Sequence, residues 1–273
     1  MKKIFLGSYL LWMTIFILIP IILIGYYAFC QNDNGIIFFT LENLRRAFKL
    51  IYIKVLLRSI NLALICTLIC LLIGYPVAYI MADKHFHFSS MLLFLFLVPM
   101  WMNMLLRTYA WLSILEQNGI VNSFLAMIGL PKLNLLYTNQ TIVLGMVYNF
   151  LPFMILPIHT CLKKINYSTI EAAQDLGANS FTIFCKIIFP LSMPGILSGI
   201  TMVFMPAVTS FIVPNLLGGG KFMLIGNLIE QQFLRTSDWN FGCAVSLILI
   251  LIIFACAIVF SLIDNQDEGG NLF

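Results

Sequence analysis

The stretch from Glu171 to Pro190 reads EAAQDLGANSFTIFCKIIFP and stands apart from its surroundings. A Glu, a Gln and an Asp fall within its first five residues, whereas the segments on both sides are long and apolar. A glycine follows closely, and the stretch then becomes apolar toward its proline. The sequence therefore places a short polar helix between two hydrophobic segments.

The composition excludes an ordinary soluble protein. Of the 273 residues, 61% are hydrophobic and only 10% are charged. Soluble domains average about 45–50% apolar and about 25% charged residues. The chain is therefore predicted to be an integral membrane protein with a single membrane domain over residues 1–273.

The uncharged runs indicate how often the chain crosses the bilayer. A spanning helix needs about 20 apolar residues, and the runs show no two-residue alternation typical of barrel strands. They predict an all-α fold with six transmembrane helices. These helices are expected near residues 5–29, 58–82, 90–115, 141–162, 190–214 and 240–263.

The orientation has two conflicting signals. An even number of spans puts both termini on one side, and Lys2 and Lys3 favour the cytoplasm. The loops that would then lie outside carry more Lys and Arg than the inner loops, including the basic segment from Arg45 to Arg58. The positive-inside rule alone favours the opposite orientation.

The local chemistry of the polar stretch predicts two helices joined at a glycine. Ser168 and Glu171 have the spacing of a capping box, which would start a helix. Gly177 can adopt the left-handed conformation that ends one, and Asn179 or Ser180 can cap the next. From geometry alone, an ordinary amphipathic loop helix remains an equal alternative.

The spacing of this stretch resembles a specific motif. Its residues Glu171-Ala172-Ala173, Gly177, Ile187 and Pro190 follow the pattern E-A-A-x₃-G-x₉-I-x-L-P, with Phe189 in place of the leucine. This is similar to the EAA loop of type I ABC-importer permeases. The resemblance implies that residues 166–189, which include Asp175, face the cytosol and dock on an ATPase. This segment is called the coupling loop below. It also implies a multi-pass protein of the bacterial inner membrane with both termini in the cytoplasm.

The same resemblance implies partners rather than cofactors. These partners are a second homologous permease, an ATPase dimer that binds ATP and Mg, and an extracytoplasmic substrate-binding protein, besides membrane lipid. The GGGK sequence at 218–221 is no nucleotide-binding loop, because Asn215 and Phe222 stand where that motif needs Gly and Ser or Thr. His85 and His87 lack a third ligand nearby, so no metal site is expected. The sequence has no H-E-x-x-H or G-x-S-x-G motif, so no catalytic residue is expected, and a nucleic-acid partner is not expected either.

Several stretches narrow the resemblance to polyamine-type permeases. They are NMLLRTYAWL (103–112), NGIVNSFL (118–125), FLPFMILPI (150–158), VPNLLGGGKFMLIGNLIEQQFL (213–234) and DWNFGCAVS (238–246). Asn215 and Asn240 depart from that family's usual residues, so a permease for another small solute, such as thiamine or an amino acid, stays open. A secondary transporter or channel is a weaker alternative, because the span interiors hold no Asp, Glu or Lys.

A polycation would need aromatic faces and oxygen atoms along its path. For any one ring, ordinary packing is the simpler interpretation. Arg107 would repel a polyamine and is expected to snorkel, to cap carbonyls, or to pair with Glu116 or a partner subunit. The candidate path residues are Trp101, Asn103, Tyr109, Trp111, Tyr148, Asn149, Phe204 and Phe211, with Glu116, Glu230 and Asp238 near the outer mouth.

Overall fold

A computed structural model describes residues 2–33, 36–83 and 88–269, and the fold over these ranges is almost entirely helical. His85 and His87 lie outside the described residues. Close contacts group the chain into two compact units, and the single membrane domain over residues 1–273 stays a prediction. The first is Met1–Leu57 with Leu224–Cys256, and the second is Arg58–Met223 with Ala257–Phe273.

Four of the described helices are long and apolar enough to cross a membrane, over Tyr9–Phe29, Leu50–Ala82, Asn139–Lys163 and Trp239–Phe260. Two further segments qualify only as bent pairs of helices, so the total is six if each pair is one span. This agrees with the predicted all-α membrane fold.

The N-terminal part contains the first apolar helix and a small hairpin. Helix α1 (Lys2–Met13) continues through a π-helical turn (Thr14–Leu18) into α2 (Ile19–Phe29). Strands β1 (Cys30–Asp33) and β2 (Ile36–Phe39) then pair antiparallel, with Cys30 opposite Phe39. This hairpin was not predicted from the sequence, although Ile and Phe favour strands.

The basic segment after the hairpin is helical. Helix α3 (Glu42–Ala47) is short, and α4 (Leu50–Ala82) is one long helix that includes Pro76. Helix α4 therefore begins well before the predicted start of the second span at residue 58.

The third predicted span, 90–115, is not one helix. Helix α5 (Ser89–Trp101) ends at Met102, and α6 (Met104–Leu115) begins after Asn103. The Asn103 side chain accepts a hydrogen bond from the Leu105 N–H at 2.8 Å, so it caps the new helix. The axis bends by 96° at this break, because an N-cap has extended rather than helical backbone. Helix α7 (Ile120–Met127) follows.

The remaining helices carry the coupling loop and the last spans. Helix α8 (Asn139–Lys163) encloses the fourth predicted span, and α12 starts later than the fifth span was expected to start. The others are α9 (Tyr167–Asp175), α10 (Ser180–Ile183), a π-helical turn (Phe184–Ile188), α11 (Phe189–Leu191), α12 (Met193–Thr209), α13 (Ile212–Leu217), α14 (Ile225–Leu234) and α15 (Trp239–Gly269).

Glycines determine how closely the helices of the second unit pack. A Cβ on Gly195 of α12 would lie 2.6 Å from the Cys161 Cβ of α8, and a Cβ on Gly199 would lie 2.7 Å from the Met154 sulfur. Small residues allow such close approach, which is the main source of helix packing energy in a bilayer. The core of this unit is therefore the contact of α8 with α12.

Candidate coupling loop and transport path

The first helix of the coupling loop begins differently from the prediction. Helix α9 starts at Tyr167, and Asn166 is its N-cap without a side-chain hydrogen bond. Ser168 therefore lies inside the first turn, and the predicted capping box of Ser168 and Glu171 is wrong. The helix begins two residues too early for the Ser168 hydroxyl to act as the cap.

The end of α9 confirms the role expected for glycine. Gly177 has φ of 82°, in the left-handed region. Its N–H donates to the Gln174 carbonyl at 2.8 Å, and the Ala178 N–H donates to the Ala173 carbonyl at 3.0 Å. This pair of hydrogen bonds is a Schellman motif, and it turns the chain sharply after two helical turns.

The second helix is capped by Asn179, the first of the two predicted candidates. Its side chain accepts a hydrogen bond from the Thr182 N–H at 2.8 Å. Half-buried Ile187 lies in the π-helical turn and exposed Pro190 in α11. The chain then bends by 59° before α12, so the coupling loop joins the fifth membrane segment at an angle.

The surface of the coupling loop is open and chemically mixed. Leu176 is 88% exposed and Phe181 is 75% exposed, although both side chains are apolar. Glu171, Ala172 and Asp175 are also exposed on α9, and that helix has no buried residue. A patch with exposed apolar side chains and two carboxylates is typical of a docking surface.

Four aromatic rings attach the coupling loop to α4, and we call Tyr75, Tyr79, Phe184 and Phe189 the aromatic anchor. The Phe184 ring lies 5.9 Å from the Tyr75 ring and 5.7 Å from the Tyr79 ring, both edge-to-face. The Phe189 ring lies 5.9 Å from the Tyr75 ring. This cluster was not predicted from the sequence, although residues four apart share a helix face, as Tyr75 and Tyr79 do.

A hydrogen bond reinforces the aromatic anchor at the bend. The Tyr75 and Ser192 hydroxyls lie 3.1 Å apart, and the Ser192 side chain also donates to the Phe189 carbonyl at 2.8 Å. Ser192 is fully buried. The bend before α12 is therefore held against α4 by specific contacts, whereas α9 projects into solvent.

The predicted path rings do not form one cluster. Trp111 and Tyr148 meet edge-to-face at 5.4 Å and line one cavity, whereas Trp101 packs on Phe94 at 5.7 Å. Phe204 is buried. Tyr109 and Phe211 are exposed on α6 and before α13, respectively.

Asn149 is the predicted path residue with the most unusual surroundings. It is only 3% exposed, and its Nδ2 donates to the Gly145 carbonyl at 2.8 Å. Its Oδ1 is buried and has no hydrogen-bond partner within the described part of the chain. A buried acceptor without a donor costs about 1–3 kcal/mol, so this oxygen is poised to accept a hydrogen bond.

The three predicted carboxylates have different surroundings. Glu116 is exposed at the end of α6, and Glu230 is half-buried in α14. Asp238 forms an ion pair with Arg46, with 2.7 Å between Oδ2 and Nη1. Its other oxygen accepts the Phe241 N–H at 3.2 Å, at the start of α15.

Arg46 is held as a cation by its surroundings. Burial alone lowers the pKa of its guanidinium, but the hydrogen bond and charge of Asp238, together with Tyr52, outweigh this effect and raise the pKa above its usual value. The guanidinium also lies 4.2 Å from the centre of the Phe241 ring. The charge of Asp238 is therefore already compensated within the first unit.

Arg107 is half-buried in α6. Its Nε and Nη1 atoms are buried without a hydrogen-bond partner among residues 2–33, 36–83 and 88–269. The guanidinium therefore does not form the predicted pair with Glu116 in the described structure.

Asn122 organises the loop after α6 and was not predicted. Fully buried, it donates to the Glu116 carbonyl at 3.1 Å and the Leu133 carbonyl at 3.0 Å. Its Oδ1 accepts the Leu133 N–H at 2.9 Å. This residue ties both ends of the segment that contains α7 together.

Within the described residues, no group of three His, Cys, Asp or Glu side chains could hold a metal ion. Gly219 and Gly220 of the GGGK sequence have φ of 57° and 72°. They form a turn after α13, which gives no support to a phosphate-binding helix start.

The chain is similar to curated proteins over nearly its whole length. It is 39% identical over 254 residues to the spermidine/putrescine transport system permease protein PotB of Escherichia coli (strain K12), covering 91% of this chain and 92% of that protein. It is 38% identical to PotB of Haemophilus influenzae (strain ATCC 51907 / DSM 11121 / KW20 / Rd), covering 98% and 96%.

The fold has the same arrangement as solved importer permeases. A bacterial ABC transporter involved in the import of the acidic polysaccharide alginate superposes with a TM-score of 0.83, covering 97% of this chain and 95% of that chain at 16% identity. Residues 74–268 match the family described as "Binding-protein-dependent transport system inner membrane component". The chain is a multi-pass inner-membrane permease subunit, and it belongs to the family of binding-protein-dependent transport system inner membrane components.

Proposed function

We propose that this chain is one of two permease subunits of an ATP-driven importer for polyamines such as spermidine and putrescine. A second, homologous permease (PotC-like) completes the path, and an ATPase dimer (PotA-like) binds ATP and Mg. An extracytoplasmic binding protein (PotD-like) delivers the substrate. This chain holds no cofactor in the proposal. The similarity to spermidine/putrescine permeases over 91% of the chain supports the substrate class.

The observation that carries the proposal is the open coupling loop. Exposed apolar surface is unfavourable by about 25 cal/mol per Å², so Leu176 and Phe181 favour a partner that covers them. Glu171 and Asp175 on the same helix suit a partner groove with basic side chains. The partner in the proposal is the ATPase, which places the coupling loop in the cytosol.

The orientation follows from that placement. With each bent pair counted as one span, the coupling loop lies on the same side of the membrane as both termini. Both termini are therefore cytoplasmic in the proposal. The basic segment from Arg45 to Arg58 then lies at the outer surface, against the positive-inside rule.

The aromatic anchor gives the coupling loop a way to act on the membrane segments. Phe184 and Phe189 lie on the second half of the loop and contact Tyr75 of α4, and Ser192 joins the same site just before α12. A displacement of α9 by the ATPase would therefore be transmitted to α4 and α12 together. Packed elements move as units, because a dense interior does not deform continuously.

For the substrate path, we propose Asn149 with the exposed rings of Trp101, Tyr109 and Phe211, and with Asn103. The free Oδ1 of Asn149 suits an ammonium donor, and aromatic faces add about 0.5–2 kcal/mol each. Glu116 and Glu230 are proposed to attract the cation at the outer mouth. Phe204 offers no polar atom and packs edge-to-face on the Phe260 ring at 6.5 Å, Asp238 is paired, and Trp111 and Tyr148 line a cavity with a cationic end. These four residues therefore suit the path less well.

Uptake of labelled spermidine into proteoliposomes tests the function. The vesicles contain this chain with its second permease, ATPase and binding protein, and unlabelled putrescine, thiamine or an amino acid is added as competitor. We expect ATP-dependent uptake that putrescine alone reduces. Uptake blocked by thiamine or the amino acid instead would reject the polyamine class while keeping the permease class.

A further inference from the structure

A cavity of about 750 Å³ lies between α4 and α8 in the second unit, with Trp111 of α6 beside it. This volume falls within the range of about 300–1,000 Å³ found for ligand sites. Helix α4 lines it from Arg58 to Ile73, and α8 lines it from Asn139 to Leu151. At about 1.5 Å per residue, these walls run for about 18–22 Å, more than half of a hydrocarbon core of about 30 Å.

The two ends of the cavity differ in chemistry. Arg58, Asn61, Asn139 and Gln140 lie at one end, near the first residue of α8. The walls beyond them are mainly apolar and include Ile65, Ile69, Ile73, Leu144, Val147 and Leu151. Asn139 is the first residue of α8, and polar or charged side chains near the end of a spanning helix lie at the membrane interface. The polar end of the cavity is therefore placed at headgroup depth and the apolar walls at acyl-chain depth.

Arg58 is fixed at the polar end by two contacts. Its Nη2 donates to the Asn139 Oδ1 at 3.0 Å, and its guanidinium carbon lies 4.4 Å from the centre of the Phe222 ring. It is the only charged side chain among the described lining residues, which include no carboxylate. The cavity therefore favours an anion and disfavours a polyamine.

The apolar walls also distinguish between occupants. Close packing of a second transmembrane helix needs small residues such as Gly, Ala or Ser, and the described lining residues include none of these. Branched and aromatic side chains, including Tyr148 and Trp111, leave an irregular surface that a flexible hydrocarbon chain can follow.

We propose that this cavity binds one anionic phospholipid. Its phosphate accepts hydrogen bonds from Arg58 and from the side-chain amides of Asn61 and Gln140, and an acyl chain lies along Ile65, Ile69 and Leu144. A guanidinium and a phosphate form strong charge-assisted hydrogen bonds. The site is distinct from the proposed polyamine path and does not depend on the substrate of the importer.

Native mass spectrometry of the purified importer complex tests the headgroup preference. The complex is titrated with phosphatidylglycerol or phosphatidylcholine carrying identical acyl chains. We expect about fivefold greater retention of phosphatidylglycerol, the effect of one basic side chain near an anionic headgroup. Arg58→Gln removes this preference, whereas Lys54→Gln keeps it, because Lys54 is an exposed cation one turn earlier on α4 and does not line the cavity.

Equal retention of the two lipids by the unaltered complex overturns the proposal, as does an equal loss of preference in both variants. Ile69→Trp fills the apolar part and should lower the retention of both lipids, and unchanged retention also counts against the site.

Photocrosslinking identifies the occupant without relying on these variants. A diazirine amino acid replaces Leu144, a wall residue, and the importer complex is irradiated in vesicles that contain phosphatidylglycerol and phosphatidylcholine. An adduct with the mass of phosphatidylglycerol supports the proposal. An adduct to the second permease, an adduct to added spermidine or the absence of a lipid adduct in folded protein overturns it.

Discussion

Gly177 of the coupling loop and Gly195 of the membrane helix α12 are needed for different physical reasons. Gly177 has φ of 82°, and a Cβ there would meet no atom within 4 Å. Gly195 of α12 lies inside a helix, where a Cβ would come within 2.6 Å of Cys161 and 2.9 Å of the Pro157 carbonyl oxygen. Gly177 is needed for its backbone conformation, and Gly195 is needed for its lack of volume.

Substitutions at these two glycines allow docking and folding to be tested separately. A side chain at Gly195 acts on the contact of α8 with α12, which forms the core of the second unit. A side chain at Gly177 acts on the direction of α9, which has no buried residue of its own. The two substitutions should therefore fail in different assays.

The largest effect is expected for Gly195→Val. Two methyl groups cannot fit against Cys161, and overpacking a core costs about 1–3 kcal/mol or more. The apparent melting temperature of the detergent-purified chain should fall sharply. Gly25→Val is the matched control, because Gly25 also lies inside a helix but no atom lies within 4 Å of its Cβ position. Equal melting temperatures for the two variants would contradict the close contact.

A smaller and more local effect is expected for Gly177→Val. A β-branched residue in the left-handed conformation costs about 1–2 kcal/mol, which reorients α9 rather than unfolding the membrane helices. We expect loss of ATPase co-purification and of uptake, with an unchanged melting temperature. Gly177→Asn should retain more of both, because Asn tolerates this conformation.

Gly129→Val controls for backbone strain as such. Gly129 has φ of 81° and an equally open Cβ position, but it lies after α7, away from the coupling loop. If Gly129→Val also lost the ATPase, or if Gly177→Val kept full binding and uptake, the proposed docking role of the coupling loop would be wrong.

The same contrast shows what the sequence could predict. The left-handed glycine and the Asn179 cap depend on neighbouring residues. Local spacing therefore predicted the glycine and gave Asn179 as one of two candidates for the cap. The break at Asn103 was missed because the apolar run continues across it, and hydropathy does not report a cap. The start of α9 was misplaced by a competing cap signal at Ser168.

Contacts between residues far apart in the chain could not be predicted from the sequence. Arg46 and Asp238 are 192 positions apart, and the Phe184 ring meets the Tyr75 ring only after α4 and the coupling loop have packed. The two-helix geometry of the coupling loop could be predicted from local signals, whereas the candidate path residues were chosen by residue type alone. Residue type cannot distinguish an open ring such as Trp101 from buried Phe204.

The smallest effect is expected at the ion pair between Arg46 and Asp238, which sharpens the contrast between packed and exposed contacts. Both side chains are partly exposed, at 40% and 32%, so solvent screens the pair and its coupling energy should not exceed about 1 kcal/mol. Asp238→Asn, Arg46→Gln and the double variant form a thermodynamic cycle, measured by thermal unfolding in detergent. Asn keeps an oxygen to accept the Phe241 N–H, so the cycle reports the charge pair and not the cap.

Because the Asp238 carboxylate is already compensated by Arg46, spermidine uptake by Asp238→Asn should match that of the unaltered importer. A strongly raised KM at unchanged stability would instead return Asp238 to the substrate path, with Arg46 as the cation that a polyamine displaces.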